Sequence, residues 1–216
     1  MWENLELSWQ RTLELAWEAF CVGTVPVGCV IVDTECRIVA EGRNAIYDRD
    51  YPWPFAGSNL AHAEMMALSR IRESEHPNIR EYTLYTSLEP CPMCFGAINM
   101  MHVRRIRCGA RDAIAGSLVL AEATPYLRSK RYTIEYGDPV LEDFQLVLVA
   151  AYELSDSRPR DRVVAIYEQA NPRAVAVGRK LFQSGYFHTA VQESFSAGRV
   201  FTDVVKELQP VGAGKV

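Results

Sequence analysis

The chain has 216 residues, of which 49% are hydrophobic and 23% are charged, and its formal net charge at pH 7 is −4. This composition indicates a globular protein with one sizeable core and excludes disordered and fibrous chains. The N-terminal residues do not resemble a signal peptide, and the apolar runs are too short to span a membrane, so we expect a cytoplasmic protein. Residues 1–155 contain 14 basic and 21 acidic residues, which argues mildly against nucleic acid as a partner.

Hydrophobic periodicity divides residues 1–155 into helices and strands. An apolar stripe that includes Leu5, Leu13 and Phe20 predicts an amphipathic first helix, and Gly23 can end it. In chain order, the remaining predicted elements are a hairpin of strands at 25–32 and 37–41, a helix at 60–72, a strand at 82–87, a helix from residue 92, a strand at 105–108, a helical or irregular stretch at 113–127, a strand at 131–136 and a helix at 139–153.

A polar run that ends in proline at 155–159 marks a boundary. It divides the chain into a domain at 1–155 and a helical extension at 156–216. Apolar spacing predicts helices in the extension around 163–170, 174–182, 187–195 and 201–208. Three roles are open for the extension: it covers a pocket, enlarges a dimer interface or contacts RNA.

Two short motifs carry the chemistry of the chain. His62 and Glu64 lie two residues apart, and Cys91 and Cys94 lie three apart around Pro92. If Pro92 opens a helix, both sulfurs lie over its first turn, where free N–H groups and the helix dipole favour thiolates. One imidazole and two thiolates leave the fourth position of a tetrahedral zinc ion to water, whose pKa zinc lowers to about 7. The sequence therefore predicts a catalytic zinc site of His62, Cys91 and Cys94.

Glu64 is the predicted general acid and base. Residues two apart do not share a helix face, so Glu64 reaches the same centre as His62 only if His62 sits at a helix start. The carboxylate would then take a proton from water and deliver it to a ring nitrogen and afterwards to a departing amine. His-x-Glu followed by Pro-Cys-x-x-Cys is the signature of zinc nucleobase deaminases. Each of the two motifs alone is a weak indication of this chemistry, because Cys-x-x-Cys also occurs as a redox dithiol or as half of a structural zinc site.

Five stretches of the chain, taken together, are similar to one known family. They are Val25-Pro26-Val27-Gly28, Gly42-Arg43-Asn44, His62-Ala63-Glu64, the run from Thr86 to Cys94, and Gly109-Ala110-Arg111-Asp112. They resemble the cytidine deaminase superfamily, and within it the branch of bacterial tRNA adenosine deaminases and small guanine and cytosine deaminases. The resemblance covers about residues 1–155.

The resemblance implies a three-layer α/β/α fold with a five-stranded mixed sheet between helices. It also implies that His62, Cys91 and Cys94 bind zinc, that Glu64 moves protons, and that Asn44 helps to hold the base or sugar. Members of this branch are commonly homodimers, so we expect a homodimer here.

The loop at 47–56 is rich in aromatic residues and proline. Trp53 and Phe55 are candidate substrate-binding residues, because stacking of an aromatic ring on a base contributes about 1 to 3 kcal/mol. The alternative is that these rings hold the loop against the body of the protein or fill a dimer interface.

Three functions are compatible with these features. The leading hypothesis is hydrolytic deamination of a nucleobase, as free base or nucleoside and with a purine favoured, by a zinc-dependent enzyme that releases ammonia. The first alternative is conversion of adenosine to inosine in tRNA, which a cluster of arginines at 104, 105, 107 and 111 would support if it bound phosphates rather than forming a solvated edge. The second alternative is a non-enzymatic interaction module that zinc stabilises.

Overall fold

The structure, a computed structural model, describes residues 1–53, 55–155 and 161–209. Its α-helices are α1 Leu7–Cys21, α2 Ala63–Leu68, α3 Pro92–Met100, α4 Pro125–Arg128, α5 Pro139–Ser155, α6 Asp161–Ala170, α7 Pro172–Gln183, α8 Tyr186–Gln192 and α9 Ala197–Leu208. Its strands are β1 Gly28–Val32, β2 Ile38–Arg43, β3 Thr83–Leu88, β4 Arg105–Ala110 and β5 Thr133–Tyr136. Short 3-10 helices lie at Trp2–Asn4, Glu73–Glu75, Ile79–Glu81 and Leu118–Glu122.

The five strands form one mixed sheet in the order β2-β1-β3-β4-β5. Strand β1 is antiparallel to both β2 and β3, whereas β3, β4 and β5 are parallel to one another. All five residues of β1 are buried, as expected for a strand that helices cover on both faces. The five-stranded mixed sheet of the predicted fold is therefore confirmed.

Two glycines show how the helices approach the two faces of the sheet. A Cβ atom at Gly28 would lie 2.1 Å from the carbonyl oxygen of Thr12 in α1, and one at Gly42 would lie 2.5 Å from the Ala67 nitrogen in α2. Gly42 pairs with Cys29, the residue after Gly28, so the two glycines face opposite sides of the sheet. Helix α1 thus packs on one face and α2 on the other, which gives the three-layer arrangement.

The helices after residue 160 belong to the same hydrophobic core as the sheet. Helix α7 packs along α5, and α9 contacts α1, α5 and α7. The indole N–H of Trp17 in α1 donates a 2.8 Å hydrogen bond to the carbonyl of Phe195, just before α9. Of the predicted boundary at 155–159, residues 156–159 lie outside the described part of the chain, and the division into two domains stays a prediction.

The predicted helix at 60–72 is shorter in the structure. Helix α2 spans only Ala63–Leu68, because the chain turns at Ser69 and buries Ile71 in the core. The stretch at 113–127 contains a 3-10 helix and the start of the short helix α4 rather than one long helix. Among the described residues, no helix combines the length and apolar character needed to cross a membrane.

Candidate metal centre

The ends of two helices bring three metal-binding side chains together. His62 is the N-cap residue of α2 with extended backbone angles, which confirms its predicted place at a helix start. Cys91 is the N-cap residue of α3, and Cys94 lies in the first turn of that helix, behind Pro92. The Nδ1 atom of His62 lies 3.6 Å from the sulfur of Cys91 and 3.6 Å from that of Cys94.

This triad has the dimensions of a tetrahedral zinc site. Zinc bonds of about 2.0–2.1 Å to nitrogen and 2.3 Å to sulfur, at the tetrahedral angle, separate those two atoms by about 3.6 Å. The ligand atoms of His62, Cys91 and Cys94 all lie within 4.8 Å of one another. The residues present therefore fit zinc, with a fourth position left for water or substrate.

The electrostatics of the triad also suit a cation. A side-chain hydrogen bond with Cys94, with a further contribution from His62, lowers the pKa of Cys91 to about 4. The pKa of Cys94 is raised, chiefly through its hydrogen bond with Cys91, so Cys94 is the thiol of the pair that holds its proton more firmly. The second thiol would lose its proton on metal binding, since thiolates are the ligands of zinc.

Glu64 lies in the first turn of α2, beside the triad but outside the group of ligand atoms. Its side chain is only 3% exposed, and one carboxylate oxygen accepts a 3.2 Å hydrogen bond from the hydroxyl of Thr86 in β3. Burial raises the pKa of Glu64. A carboxyl group with a raised pKa is a better proton acceptor than an ordinary carboxylate, and once protonated it can donate that proton again.

A cavity of about 280 Å³ opens beside His62 and Glu64. This volume is at the small end for ligand sites, which span about 300–1,000 Å³. The polar residues that line it are Asn44, His62, Glu64, Glu89, Cys91, Asp112, Glu153 and Tyr167. The larger apolar residues are Val25, Val27, Ile46, Leu88, Ile114, Val149 and Val163. A larger open groove of about 660 Å³ between α1 and α9 contains none of the predicted ligands.

Asn44 reaches this cavity with a fixed orientation. Its carbonyl oxygen Oδ1 accepts a 2.6 Å hydrogen bond from the hydroxyl of Thr24 and a 3.1 Å bond from the backbone N–H of Ile46. These two donors identify the oxygen, so the Nδ2 amide group is the part left to meet a ligand. Asn44 can therefore donate hydrogen bonds to a carbonyl or ring nitrogen of a substrate.

Trp53 and Phe55 pack against the buried cluster of Ala45, Ala61 and Met66. The indole N–H of Trp53 donates a 2.7 Å hydrogen bond to Ser69, and the guanidinium of Arg70 lies 4.2 Å above the indole ring. These contacts hold the aromatic loop against the body of the protein. A role of the two rings in substrate binding stays a prediction.

Part of the cavity wall was not predicted from the sequence. Glu89 and Asp112 lie inside the stretches that carry the family resemblance, so position within those motifs was an available signal. Glu153, Val163 and Tyr167 come from α5 and α6. Helical periodicity predicts that these residues lie on buried faces of their helices. Nothing in the local sequence shows which part of the protein those faces contact.

The family model for the cytidine and deoxycytidylate deaminase zinc-binding region matches residues 3–110, half of the chain. This match covers all three metal-binding side chains and Glu64. The protein belongs to this deaminase family. The family resemblance predicted from the motifs is therefore confirmed, as is the zinc-binding character of the site.

Relatives of this protein are named for activity on different bases. The tRNA-specific adenosine deaminase of Haemophilus influenzae is 37% identical over 107 residues, which are 49% of this chain and 58% of that protein. The cytosine deaminase of Candida albicans is 26% identical over 132 residues, or 61% of this chain and 75% of that protein. A solved structure from a study of A-to-I editing by tRNA:A34 deaminases is 26% identical, with a TM-score of 0.50, and the match covers 60% of this chain and 96% of that one.

Proposed function

We propose that this deaminase is a zinc-dependent hydrolase that removes an amino group from a nucleobase and releases ammonia. The observation that carries the proposal is the position of Glu64, a buried carboxyl group beside a zinc-binding triad in a small cavity. When bound, zinc would activate water at neutral pH and act as a Lewis acid. The described residues account for two other requirements, which are a proton carrier and a substrate anchor.

Glu64 carries the protons of the reaction. It accepts a proton from the attacking water, whose oxygen bonds to the ring carbon that bears the amine. It passes that proton to the neighbouring ring nitrogen. It then takes a second proton from the hydroxyl group now on that carbon and gives it to the amine, so that the C–N bond breaks, ammonia leaves and a carbonyl group remains. Thr86 holds one oxygen of Glu64, which fixes the carboxyl group while it changes protonation state.

The cavity favours a small uncharged substrate over a phosphate-bearing one. Four of its lining side chains are carboxylic acids, namely Glu64, Glu89, Asp112 and Glu153, and the described lining residues include no arginine or lysine. A phosphate group would be repelled by such a surface. A nucleobase, as free base or nucleoside, suits it better, and its ring N–H groups can donate hydrogen bonds to carboxylates. A purine is favoured because the tRNA-specific relative acts on adenosine.

Conversion of adenosine in tRNA is the second candidate, because the relative in H. influenzae carries that name. In the structure, the contacts of the predicted arginine cluster support the tRNA reaction less strongly than the sequence alone did. Arg107 binds Glu6 at 2.6 Å and Glu135 at 3.4 Å, and the Arg111 guanidinium lies 3.8 Å above the ring of Tyr136. Arginines that are already paired contribute less to phosphate binding.

Ammonia release tests the proposed function. Zinc-loaded protein is incubated with adenine, guanine, cytosine and their ribonucleosides, and compared with Glu64→Gln and with Glu193→Gln, which changes an exposed carboxylate. We expect release from at least one compound, a rate about 10²- to 10⁴-fold lower for Glu64→Gln at unchanged zinc content, and no effect of Glu193→Gln.

The two alternatives predict other outcomes of the same assay. If no compound in the panel releases ammonia but a tRNA substrate does, with a rate that falls steeply as salt rises, the tRNA reaction replaces the proposal. If neither kind of substrate reacts while zinc binds one-to-one, the protein is an interaction module that zinc stabilises.

A further inference from the structure

We propose that Tyr167, in helix α6, is a positioning residue of the deaminase site and acts through the carboxylate of Asp112. In this arrangement Asp112 accepts a hydrogen bond from an N–H or O–H group of the substrate, and Tyr167 fixes the carboxylate that does so. The inference rests on the proposed function and adds a substrate contact to it. Both residues lie beyond residues 3–110, the part of the chain that matches the family model.

The strand order places Asp112 and Asn44 at the same edge of the sheet, some distance apart. Strands β2, β3 and β4 run in one direction, because β1 is antiparallel to both β2 and β3, and β3 is parallel to β4. Asn44 directly follows β2, and Asp112 lies two residues after β4. Strands β1 and β3 lie between those two strands, which separates them by three strand spacings, or about 14 Å. Asn44 and Asp112, which both line the cavity, are therefore on opposite sides of it.

Two hydrogen bonds fix the side chain of Asp112. The phenol group of Tyr167, which is 5% exposed, donates to Oδ1 of Asp112 at 2.8 Å. The backbone N–H of Ile114 donates to the same oxygen at 2.8 Å. Burial raises the pKa of Tyr167, so the phenol keeps its proton and remains a donor. Within the described parts of the chain, both hydrogen bonds to this carboxylate go to Oδ1, which leaves Oδ2 to meet a ligand in the cavity.

The backbone around Asp112 is anchored independently of Tyr167. The carboxylate of Glu89 accepts the backbone N–H of Leu118 at 3.1 Å and that of Asp112 itself at 3.4 Å. Loss of the Tyr167 hydroxyl should therefore release the carboxylate of Asp112 without displacing the loop that carries it.

A donor and an acceptor on opposite sides of the cavity can orient a substrate between them. Asn44 offers its amide N–H groups, and Asp112 offers a carboxylate oxygen, so the pair binds complementary groups of one ligand. A ring N–H of a base and a hydroxyl group of a ribose are both donors that a carboxylate accepts. Hydrogen bonds to an ionised group are about twice as strong as those between neutral groups. Asp112 would thus contribute to binding, whereas Glu64 moves the protons.

The test measures kcat, KM, zinc content and thermal unfolding of the full chain. The substrate is the compound that the wild-type protein deaminates fastest among adenine, guanine, cytosine and their ribonucleosides. Tyr167→Phe removes only the hydroxyl group, and Asp112→Asn keeps Oδ1 but replaces the accepting Oδ2 by an amide donor; the double variant combines them. Tyr186→Phe is the matched control, because the Tyr186 hydroxyl also donates to an aspartate, Asp203, at 3.0 Å, but lies in α8, outside the described lining of the cavity.

We expect Tyr167→Phe to raise KM at least fivefold, with kcat within twofold of the wild-type value and zinc content unchanged, and Tyr186→Phe to change neither constant. Asp112→Asn should raise KM at least tenfold. In that background Tyr167→Phe should add less than twofold, because the contact that it supports is already lost. Inhibition constants distinguish the two kinds of donor: Asp112→Asn weakens base and ribonucleoside alike if Oδ2 meets a ring N–H, and only the ribonucleoside if Oδ2 meets a sugar hydroxyl.

Three results overturn the inference. The first is a KM that rises no more in Tyr167→Phe than in Tyr186→Phe. The second is an equal effect of Tyr167→Phe on KM with and without Asp112→Asn, which would mean that Tyr167 does not act through Asp112. The third is an unchanged KM in Asp112→Asn, and this result decides the matter if Tyr167→Phe does not fold. Failure of the proposed function has a different signature, which is absence of ammonia release from every base and ribonucleoside by the wild-type protein.

Discussion

Asn44 illustrates how a single side chain at the cavity depends on a residue far away in sequence. Its amide oxygen is held by Thr24, whose hydroxyl is buried together with it. The resemblance implied a substrate contact for Asn44, but not which end of the amide meets the substrate. The backbone N–H of Ile46, which can only donate, identifies the oxygen, and Thr24, which lies 20 residues earlier and has no motif of its own, helps to hold it there.

Replacing Thr24 should therefore weaken substrate binding without removing a catalytic group. In Thr24→Val the amide of Asn44 loses one of two hydrogen bonds that fix it, each of which contributes about 0.5–1.5 kcal/mol. We expect kcat/KM to fall about tenfold, mainly through KM. The control is Thr12→Val, because the buried Thr12 hydroxyl donates to Ser8 within α1 at 2.7 Å. Equal losses of kcat/KM in the two variants would show that the effect is general destabilisation.

At the scale of elements, the contact between β2 and α2 positions the catalytic helix. Gly42 lies against the backbone of α2, where a Cβ atom would be 2.5 Å from the Ala67 nitrogen and 2.6 Å from the Ala63 carbonyl oxygen. Backbone atoms in a helix cannot move aside for a Cβ atom, whereas the end of a flexible side chain can. The helix that carries Glu64, with His62 as its N-cap, is thus held at the closest distance that the sheet permits.

Gly42→Ala should displace α2 and damage the zinc site. We expect a loss of stability of about 1–3 kcal/mol, as for other overpacked cores, together with weaker zinc binding. Thermal unfolding and zinc content measure the two effects. Gly96→Ala in α3 is the matched control, because a Cβ atom there would meet nothing within 4 Å and alanine favours a helix. Full zinc binding by Gly42→Ala at unchanged stability would refute the close-contact argument.

An ion pair joins α1 to the hairpin. The guanidinium of Arg11 donates two hydrogen bonds to Glu41, from Nε and Nη2, each 2.8 Å long. These bonds lower the pKa of Glu41 below its usual value of 4.5. A carboxyl group whose pKa is depressed in the folded state stabilises the fold above that usual value, and the contribution is lost as the pH falls through the depressed pKa.

Glu41→Gln should accordingly have an effect that depends on pH. At pH 7 we expect the variant to be less stable by about 0.5 kcal/mol, a modest figure because both side chains are partly exposed to solvent. The difference should shrink as the pH falls below 4.5, the usual value for this carboxyl group. Urea unfolding of both proteins at several pH values measures it. A difference that stays constant down to acid pH would mean that the charge of Glu41 does not contribute.

At the scale of the whole molecule, the sequence predicted local structure better than it predicted long-range placement. Periodicity located α1 and α5, and the cap signals around His62 and Pro92 placed the metal ligands at helix starts. The contact between Tyr167 and Asp112 joins residues that are 55 positions apart. Such a contact depends on how α5, α6 and α7 stack together. Amphipathic patterns predict which side chains are buried, but not which element they contact.

Sequence patterns also do not identify the surface that would bind a second copy, because the homodimer is a prediction from the family resemblance. Three exposed apolar side chains lie on adjoining elements: Met100 at the end of α3, Val119 in the 3-10 helix at Leu118–Glu122, and Tyr126 in α4, with exposed fractions of 66%, 78% and 53%. We call these three side chains the apolar patch; exposed apolar side chains on neighbouring elements are candidates for an interface, and a stable dimer buries about 800 Å² on each partner.

We predict that this patch is the dimer interface and that Val119→Glu makes the protein monomeric, because a carboxylate at the centre of an apolar contact would lose its hydration without gaining a partner. Sedimentation velocity at several protein concentrations measures the change. Leu7→Glu is the matched control, since Leu7 is 77% exposed at the start of α1 and lies outside the patch. If the wild-type protein is a monomer at all concentrations, or if both variants remain dimers, the patch is not the interface. A dimer that only Val119→Glu dissociates would identify the face formed by α3 and α4 as the one that meets a second copy.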